Sequence, residues 1–276
     1  MYNFAFHRPT GLRQASNMLG KLEEAKLLAG GQTLIPTMKL RLASPNNLID
    51  LNTVDGLAGI EVKGRSIVIG AMTRHADVAS SADVKANIPA LAYLAGLIGD
   101  PAVRHRGTLG GSIANNDPNS DYPAACVGLG ATIHTTKGKH EADDFFKGLF
   151  ETALAPDEII TKVSFPIVKK AGYEKFRNQA SRFALVGVFV SKRGSEIRVA
   201  VTGAGSNGVF RVPSFEEALK KRFAPKSLEG LSIPADGMNS DIHGSAEYRA
   251  HLVGVMARRA VARANEAPGG EDEEQA

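Results

Sequence analysis

The sequence predicts an α+β fold, and three features of its hydrophobic pattern point to that class. Strand and helix signals alternate within the first 55 residues, as they do in a βαβ unit. Two hairpin signals follow, one about Lys63 and Gly64 and one about Lys137 and Gly138. Further β-rich runs then precede two helical patterns near the end of the chain. Local hairpins beside a single βαβ unit argue against a purely parallel, doubly wound sheet.

The elements of the first 55 residues are predicted in the order helix, strand, helix, strand. Residues 10–22 place apolar side chains on one helical face, with Thr10 as the predicted N-cap. "AKLLAGG" predicts a short buried strand that ends at Gly30 and Gly31, and "TLIPTMKLRLA" predicts the helix that follows it. "NNLIDL" is the next strand. The two glycines therefore stand where the carboxyl end of a strand meets the amino end of a helix.

The later elements divide the chain into further units. Residues 56–168 mix hairpins with alanine-rich helices, one of which Pro89 can begin, and "DEIITKVSFP" is a strand closed by Pro166. The strands "FALVGVFVSK" and "EIRVAVTGA" then precede the helices "SFEEALKKRF" and "SAEYRAHLVGVMARRAVARA". We predict domains at residues 1–168, made of subdomains 1–55 and 56–168, and at 169–267. A disordered acidic tail is expected at residues 268–276.

Composition limits the function classes. The N-terminus lacks the apolar run of a signal peptide, and no continuous apolar stretch in the 276 residues is long enough to span a membrane. We therefore expect a cytoplasmic protein. The single cysteine, Cys126, excludes an internal disulfide and an iron–sulfur cluster ligated by cysteines of this chain alone. The seven histidines contain no pair at metal-ligand spacing, so no transition metal is expected.

The charge distribution favours a small anionic ligand or an acidic partner. The net charge is +4, and because Glu271, Asp272, Glu273 and Glu274 contribute −4, residues 1–270 carry +8. Lysines and arginines are dispersed, and aromatic residues do not interleave with them, so nucleic acid is not the expected partner.

Two short motifs resemble known ligand loops but fail their own criteria. "DPNSDY" at residues 117–122 opens like an EF-hand calcium loop, yet Tyr122 and Gly128 stand where that loop needs glycine and glutamate. "GAGSNG" at residues 203–208 matches a dinucleotide fingerprint after a strand, but Pro213 delays the helix that such a site requires. We interpret it as a glycine-rich turn, with a nicotinamide-dinucleotide site kept as an alternative.

Two double-glycine segments carry a better signal: "AGGQTL" at residues 29–34 and "TLGGSIANND" at 108–117. Glycine lets backbone N–H groups approach a ligand closely, and successive N–H groups form an anion nest. By themselves the segments fit two tight turns as well as a pyrophosphate site. The polar residues Asn115, Asn116, Asp117 and Asp121 favour the ligand, because they need partners and carboxylates accept from ribityl or sugar hydroxyls. A pyrophosphate with many hydroxyls is a dinucleotide.

Six segments of this sequence resemble one known family, in the same order. They are "LLAGGQTLIPTMKLRLASPNNLIDL", "IGAMTRHADV", "RGTLGGSIANNDPNSDYPAA", "DEII", "YEKFRNQASRFALVGV" and "DIHGSAEYRAHL". The resemblance is to the FAD-binding medium subunit of molybdenum-containing hydroxylases, and it runs from about Phe4 to Arg263. It implies a two-subdomain FAD-binding domain of the vanillyl-alcohol oxidase type, followed by a smaller α+β flavoprotein domain.

The resemblance also implies site residues, with none of them catalytic. The glycine segments would contact the FAD diphosphate. Asp121 and Lys175 would lie with the cofactor, and the "DEII" segment would run beside it. Phe183 would stand where relatives place an aromatic residue near the flavin. The predicted FAD-binding residues are Ala29, Gly30, Gly31, Gln32, Thr33, Leu34, Thr108, Leu109, Gly110, Gly111, Ser112, Asn115, Asp117, Asp121, Ile159, Ile160, Lys175 and Phe183.

The family further implies partners and an activity. A large subunit with a molybdenum cofactor oxidises substrate, a small subunit with two [2Fe-2S] clusters passes electrons on, and FAD in this chain delivers them to an external acceptor. We expect a dimer of heterotrimers. Gln32 and Gln179 depart from common family residues, and we expect them to act on the flavin potential or on loop stiffness. Phe183 stands in place of a common tyrosine, so a hydroxyl contact near the flavin would be lost. A cofactor-free interaction subunit stays an alternative.

Overall fold

Three larger β-sheets follow one another along the chain in the computed structural model, which describes residues 1–266. A small two-stranded sheet is inserted in the chain before the last strand of the second sheet. The predicted acidic tail at residues 268–276 lies outside the described residues. The mixture of one parallel and two larger antiparallel sheets confirms the α+β class. No helix within residues 1–266 combines the length and the apolar character needed to cross a membrane.

The first sheet is parallel and contains the predicted strand, helix and strand. Its strands are β1 (Ala5–His7), β2 (Ala25–Leu28) and β3 (Asn47–Asp50), in the order β1-β3-β2. Helix α1 (Leu12–Lys21) precedes β2, and helix α2 (Leu34–Lys39) joins β2 to β3. Strand β1 has only three residues and was not predicted.

The predicted N-cap of α1 is wrong by one residue. Gly11 occupies the N-cap position and no side chain caps the helix. The backbone N–H of Thr10 instead donates to the Gln14 side chain, so Thr10 lies outside the helix. The start of α1 is therefore fixed by the hydrogen bond between the Thr10 N–H and the Gln14 side chain, and not by the threonine hydroxyl.

The second sheet is antiparallel, and both predicted hairpins form part of it. Its strands are β4 (Ile60–Lys63), β5 (Ser66–Gly70), β6 (Thr132–Thr135), β7 (Lys139–Glu141) and β10 (Ile160–Pro166), in the order β4-β5-β10-β6-β7. Seven helices and a small hairpin lie between or beside these strands: α3 (His75–Ser80), α4 (Ala82–Asn87), α5 (Pro89–Gly96), α6 (Pro101–Arg104), α7 (Leu109–Asn115), α8 (Tyr122–Leu129), α9 (Ala142–Phe145), β8 (Phe146–Gly148) and β9 (Glu151–Thr152).

The third sheet carries the C-terminal helices. Its strands are β11 (Lys170–Arg177), β12 (Ala184–Arg193), β13 (Glu196–Thr202) and β14 (Phe210–Arg211), paired in that order. The helices are α10 (Pro213–Lys221), the 3₁₀ turn Pro225–Leu228, and α11 (Ala246–Asn265). Helix α11 packs against β11 and β12.

Helix α8 joins the second and third sheets. All eight of its residues are buried, which is the pattern of a helix covered on every side. Its Gly128 carbonyl accepts from Ser191 Oγ of β12 at 2.6 Å, and its Val127 carbonyl accepts from Arg198 Nη1 of β13 at 3.0 Å. The segment that leads into α8 is thereby tied to the third sheet.

Helix α11 approaches β11 so closely that only glycine fits at one strand position. A Cβ added to Gly172 would lie 2.0 Å from the Ala260 carbonyl oxygen, whereas a Cβ at Gly138 would meet nothing within 4 Å. We expect Gly172→Ala to lower the free energy of unfolding by about 1 to 3 kcal/mol or more, because a backbone contact must give way. Urea unfolding measures it, with Gly138→Ala as the matched control. Equal stability of the two variants would contradict this packing.

Candidate functional site

The two double-glycine segments meet at the junction of the first and second sheets. Gly30 lies against the chain that leads into the second segment, because a Cβ at Gly30 would stand 2.1 Å from the Arg106 carbonyl oxygen and 2.7 Å from Gly107 Cα. A Cβ at Gly111 would lie 3.5 Å from the Ala29 Cβ. Glycine at these positions therefore allows two backbones from different sheets to touch.

The first segment, residues 29–33 between β2 and α2, presents a run of unpaired donors. The backbone N–H groups of Gly30, Gly31, Gln32 and Thr33 donate no hydrogen bond within residues 1–266. Gly31 adopts φ +73°, a left-handed conformation suited to glycine, and no side chain caps α2 at Thr33. Four successive N–H groups without partners are the donors that a phosphate group uses in a backbone nest.

The second segment is a capped helix rather than a second set of free donors. Thr108 is the N-cap of α7, its Oγ1 accepts from the Gly111 N–H at 3.2 Å, and its carbonyl accepts from the Ser112 N–H. The Gly110 N–H donates to the Ala71 carbonyl at 2.7 Å. The expectation that both segments offer free N–H groups therefore needs correction. The N–H groups of Gly110, Gly111 and Ser112 already donate to acceptors in the protein, two of them at Thr108 and one at Ala71.

Asp121 and Lys175 form a buried ion pair across the junction of the second and third sheets. Their side chains are 3% and 1% exposed, and Lys175 Nζ lies 2.9 Å from Asp121 Oδ1. Tyr173, two residues before Lys175 on β11, donates its hydroxyl to Asp121 Oδ1 at 2.5 Å. Lys175 Nζ also donates to the Leu97 carbonyl at 2.9 Å. The cluster thus joins the end of α5, the start of α8 and strand β11.

Burial governs the electrostatics of this cluster. Loss of solvent raises the pKa of the Asp121 carboxyl, while the Lys175 ammonium and the Tyr173 hydroxyl oppose that rise. Burial, together with the nearby Asp121 charge, raises the pKa of Tyr173 well above its ordinary value, so the phenol keeps its proton. Removing one member of a buried pair typically costs about 3 to 5 kcal/mol, because the other charge is left without compensation. Asp121 is accordingly occupied by protein donors.

The polar residues beside the second segment have mixed roles. Asp117 accepts from the Asn119 N–H in a local turn, and Asn115 ends α7 half-buried. Asn116 is 1% exposed in a left-handed conformation, φ 44°, and its amide donates to the Gly148 and Glu151 carbonyls at 2.8 Å. Its Oδ1 has no partner within residues 1–266. Asp121 points into the protein, so the calcium-like motif at residues 117–122 does not bring the carboxylates of Asp117 and Asp121 together around one ion site.

The remaining predicted residues lie in three different settings. Ile159 and Ile160 are buried, and Ile159 packs in the same apolar cluster as Ala29. Phe183 is 51% exposed on the turn between β11 and β12, where its carbonyl accepts from the Asn178 N–H. Leu109 is fully buried at the start of α7, whereas Leu34 is half-buried and Gln32 is exposed beside the unpaired donors.

The "GAGSNG" segment is a structural turn. Strand β13 ends before it and the short strand β14 follows, so no helix begins in the glycine run. A Cβ at Gly203 would lie 2.3 Å from the Ala184 carbonyl oxygen, and the Gly203 N–H donates to the Pro118 carbonyl. The Gly203 carbonyl accepts from Arg249 Nη1 at 3.0 Å. These contacts confirm the interpretation as a glycine-rich turn.

Sequence reasoning missed Tyr173, His75 and Tyr122. Tyr173 and Lys175 share a strand face, a period-two signal that became visible only once β11 was known. His75 and Tyr122 lie side by side with ring centroids 5.4 Å apart, and both are nearly fully buried. His75 Nδ1 and the Tyr122 hydroxyl have no hydrogen-bond partner within residues 1–266. His75 also borders the second segment, since its backbone N–H donates to the Gly107 carbonyl.

The fold and this donor set define the class of protein. A run of free backbone N–H groups at a strand-to-helix turn, walled by a second glycine segment, suits the diphosphate of a dinucleotide. The chain is a dinucleotide-binding α+β protein.

Comparison with known proteins identifies the family. The model for the FAD binding domain in molybdopterin dehydrogenase matches residues 2–168. The carbon monoxide dehydrogenase medium chain of Hydrogenophaga pseudoflava is 36% identical over 274 residues, covering 94% of this chain and 96% of that protein. The nicotine 6-hydroxylase medium subunit of Paenarthrobacter nicotinovorans is 37% identical over 270 residues, covering 93% and 95%. The chain belongs to this family: it is an FAD-binding subunit of a molybdenum hydroxylase, an oxidoreductase.

A solved structure agrees with that assignment. Carbon monoxide dehydrogenase from Hydrogenophaga pseudoflava, in a form that lacks the Mo-pyranopterin moiety of its molybdenum cofactor, superposes with a TM-score of 0.84 at 36% identity. The alignment covers 95% of this chain and 97% of that one. The α+β architecture described above is therefore that of the family along nearly the whole chain.

The contact of Gly30 with Arg106 predicts a sensitive position for cofactor binding. Gly30→Ala would force the two segments apart, because a Cβ 2.1 Å from a carbonyl oxygen cannot be accommodated. We expect at least a tenfold loss of bound FAD, roughly 1.4 kcal/mol of binding free energy. The absorbance ratio of flavin to protein measures it. Gly11→Ala is the control, since a Cβ there meets nothing within 4 Å; full flavin occupancy in Gly30→Ala would refute the role of this contact.

His75 predicts a pH dependence of stability. Burial, and to a lesser degree the Arg104 charge, lowers the pKa of His75 to about 4, from 6.5. Between these values the unfolded chain binds a proton that the folded chain does not, so stability falls as pH drops from 6.5 towards 4. The difference corresponds to about 3 kcal/mol. Urea unfolding of His75→Gln between pH 4 and 7 should show a flatter profile than the unaltered protein; parallel profiles would contradict it.

Proposed function

We propose that this chain is the FAD-carrying electron-transfer subunit of a heteromeric molybdenum hydroxylase. The bound FAD accepts electrons from [2Fe-2S] clusters of a small partner subunit and passes them to an external acceptor. A large partner subunit with a molybdenum cofactor oxidises the substrate, and the three chains assemble as a dimer of heterotrimers in the cytoplasm. Family membership supports the partners, because the similar proteins are medium subunits.

One observation carries the cofactor assignment to particular residues: the four unpaired N–H groups at residues 30–33. They supply a donor array for an anionic diphosphate, and the contact of Gly30 with Arg106 and Gly107 fixes that array against the second segment. Thr33 adds a hydroxyl without a capping role at the same point. We assign the FAD diphosphate to this segment, with Gly111 and Ala29 forming the wall beside it.

Lys175 is assigned to the layer of the protein behind the cofactor. Its ammonium donates to the Asp121 carboxylate and to the Leu97 carbonyl. Because its side chain is only 1% exposed, we assign it a supporting role at the site rather than a direct contact with the cofactor. Tyr173 and Asp121 then serve as positioning residues, since the Tyr173 hydroxyl donates to the carboxylate that holds the Lys175 ammonium in place. Phe183, with its exposed ring, is assigned to stack near the flavin.

The substrate is assigned to the large partner rather than to this chain. Relatives of nearly equal identity serve enzymes named for unlike substrates, carbon monoxide and nicotine. The residues described above bind, orient and shield a cofactor, and they supply no group to a substrate. The domain boundaries near residues 55, 168 and 267, and the effects of Gln32 and Gln179 on the flavin, stay predictions.

The test is the behaviour of the purified complex. The full chain, co-expressed with its two partner subunits, should contain one FAD per copy, and that flavin should be reduced when substrate is added anaerobically. Omission of the iron–sulfur subunit should abolish the reduction while the flavin is retained. A complex without stoichiometric FAD would contradict the proposal and favour a cofactor-free interaction subunit. Reduction that persists without the iron–sulfur subunit would contradict the proposed electron route.

A further inference from the structure

Two lysines stand opposite each other at the edge of the third sheet. Lys170 begins the edge strand β11, and in the antiparallel register its partner is Lys192 of β12. Directly opposed residues lie on the same face of a sheet, with Cβ atoms about 5 Å apart, so like charges at such positions destabilise the pairing. Lys170 is exposed and Lys192 is half-buried. We call these two residues the lysine pair.

One aromatic ring lies beside both ammonium groups. Lys170 Nζ is 6.0 Å and Lys192 Nζ is 5.8 Å from the centroid of the Phe223 ring. The face of a ring attracts cations and offsets part of their repulsion, but it carries no net charge. The contact therefore keeps two positive charges close together at the surface without neutralising them.

Helix α11 ends at the lysine pair. The side-chain oxygen of Asn265, the last residue of the helix, accepts from Lys170 Nζ, and its amide nitrogen donates to the Phe223 carbonyl at 3.4 Å. The sequence continues beyond Glu266 as "APGGEDEEQA", outside the described residues. Its acids, residues 271–274, begin six positions after Asn265. Six residues of chain span at most about 20 Å, so the lysine pair is within their reach.

The part of the chain that the structure describes supplies no carboxylate to the lysine pair. Neither lysine takes part in an ion pair within residues 1–266. Two acids of the same sheet are paired elsewhere: Glu196 with Arg193 and Arg198, and Glu174 with Arg263. The carboxyl end of α11 contributes about half a negative charge, which two ammonium groups exceed.

We propose that the acidic segment, residues 271–274, binds the lysine pair of its own chain. The segment supplies four carboxylates, and the pair has no counter-charge within residues 1–266. The covalent connection through Asn265 favours this occupant over a separate molecule, because a short connection gives an effective concentration on the order of millimolar. Bound carboxylates offset the repulsion between β11 and β12. The contact does not involve the proposed cofactor, so its test is independent of the FAD assignment.

The first test is the rate at which an amine acylating reagent modifies each lysine of the full chain at low salt, measured by mass spectrometry. Neutralising the acidic segment should raise the rate at the lysine pair about threefold, the scale of exposed ion pairs. The rate at Lys26, an exposed lysine of β2, should not change. In the unaltered chain, 1 M salt should raise the rate at the pair equally, since it screens charges beyond about 3 Å.

Two variants with the same loss of negative charge are compared. The first neutralises the acidic segment with isosteric amides and is Glu271→Gln/Asp272→Asn/Glu273→Gln/Glu274→Gln. The matched control removes four exposed acids that form no ion pair within residues 1–266 and is Glu23→Gln/Glu24→Gln/Asp55→Asn/Asp236→Asn. The control should leave the lysine pair as unreactive as it is in the unaltered chain.

A double-mutant cycle on Tm tests the same contact from the side of the lysines. Neutralising the acidic segment should lower Tm at low salt by about 1 to 3 °C, because repulsion within the lysine pair is then unopposed. In a chain that already carries Lys192→Gln, the same neutralisation should leave Tm unchanged, since no opposed pair remains. An equal fall in Tm with and without Lys192→Gln would overturn the proposal.

Four further results would also overturn it. Equal acylation rates in the segment variant and its matched control would show that the acids do not cover the pair. Protection that persists at 1 M salt would exclude a charge contact. Protection that depends on the concentration of the chain would assign the pair to the acidic segment of another copy. Protection that arises only when a partner subunit is added would assign the pair to that subunit.

Discussion

The approach of Gly30 to the Arg106 carbonyl is the contact on which the proposed cofactor site depends. It brings a turn of the parallel sheet against the segment that caps α7, and a single Cβ would fill the space between them. The donors then divide between the two segments in a definite way: residues 30–33 keep their N–H groups free, while Thr108 and Ala71 occupy those of residues 110–112. One segment is therefore a donor array and the other is a rigid wall.

The third sheet stabilises this arrangement from the other side of α8. Asp121 begins that helix, and Lys175 and Tyr173 reach it from β11, so the ion pair fixes how the C-terminal part of the chain meets the cofactor half. Ser120 is held in the same way, because its carbonyl accepts from the Thr202 hydroxyl at 2.6 Å. The C-terminal sheet is thus a structural support of the segment at Ser120 and Asp121, even though residues 2–168 alone match the family model for the FAD binding domain.

Much of the fold could be predicted from the sequence, because its elements have local signals. The glycine turn before α2, the hairpins about Gly64 and Gly138, and Pro89 at the start of α5 all follow from conformational preferences of single residues. The pairing inside the second glycine segment could not be predicted, since it depends on Ala71, which is distant in sequence. The contacts of Tyr173 and Lys175 with Asp121 could not be predicted either, because these residues are also distant in sequence. In addition, β11 lacks the clear alternation of apolar residues that would have revealed the strand. Contacts with a ligand can be inferred from a motif, whereas competition from protein donors requires the tertiary structure.

The burial of the Asp121–Lys175 pair has a consequence for how the protein responds to ionic strength. Dissolved ions screen charges in water over about 10 Å at 0.1 M, but they do not enter a site whose side chains are 3% and 1% exposed. The cations Lys39 and Arg41 are in contact with solvent and are screened fully. Added salt therefore weakens charge interactions at the solvent-exposed cations and leaves the buried Asp121–Lys175 pair unscreened, so the packing of β11 against the start of α8 withstands ionic strengths that loosen contacts at the surface.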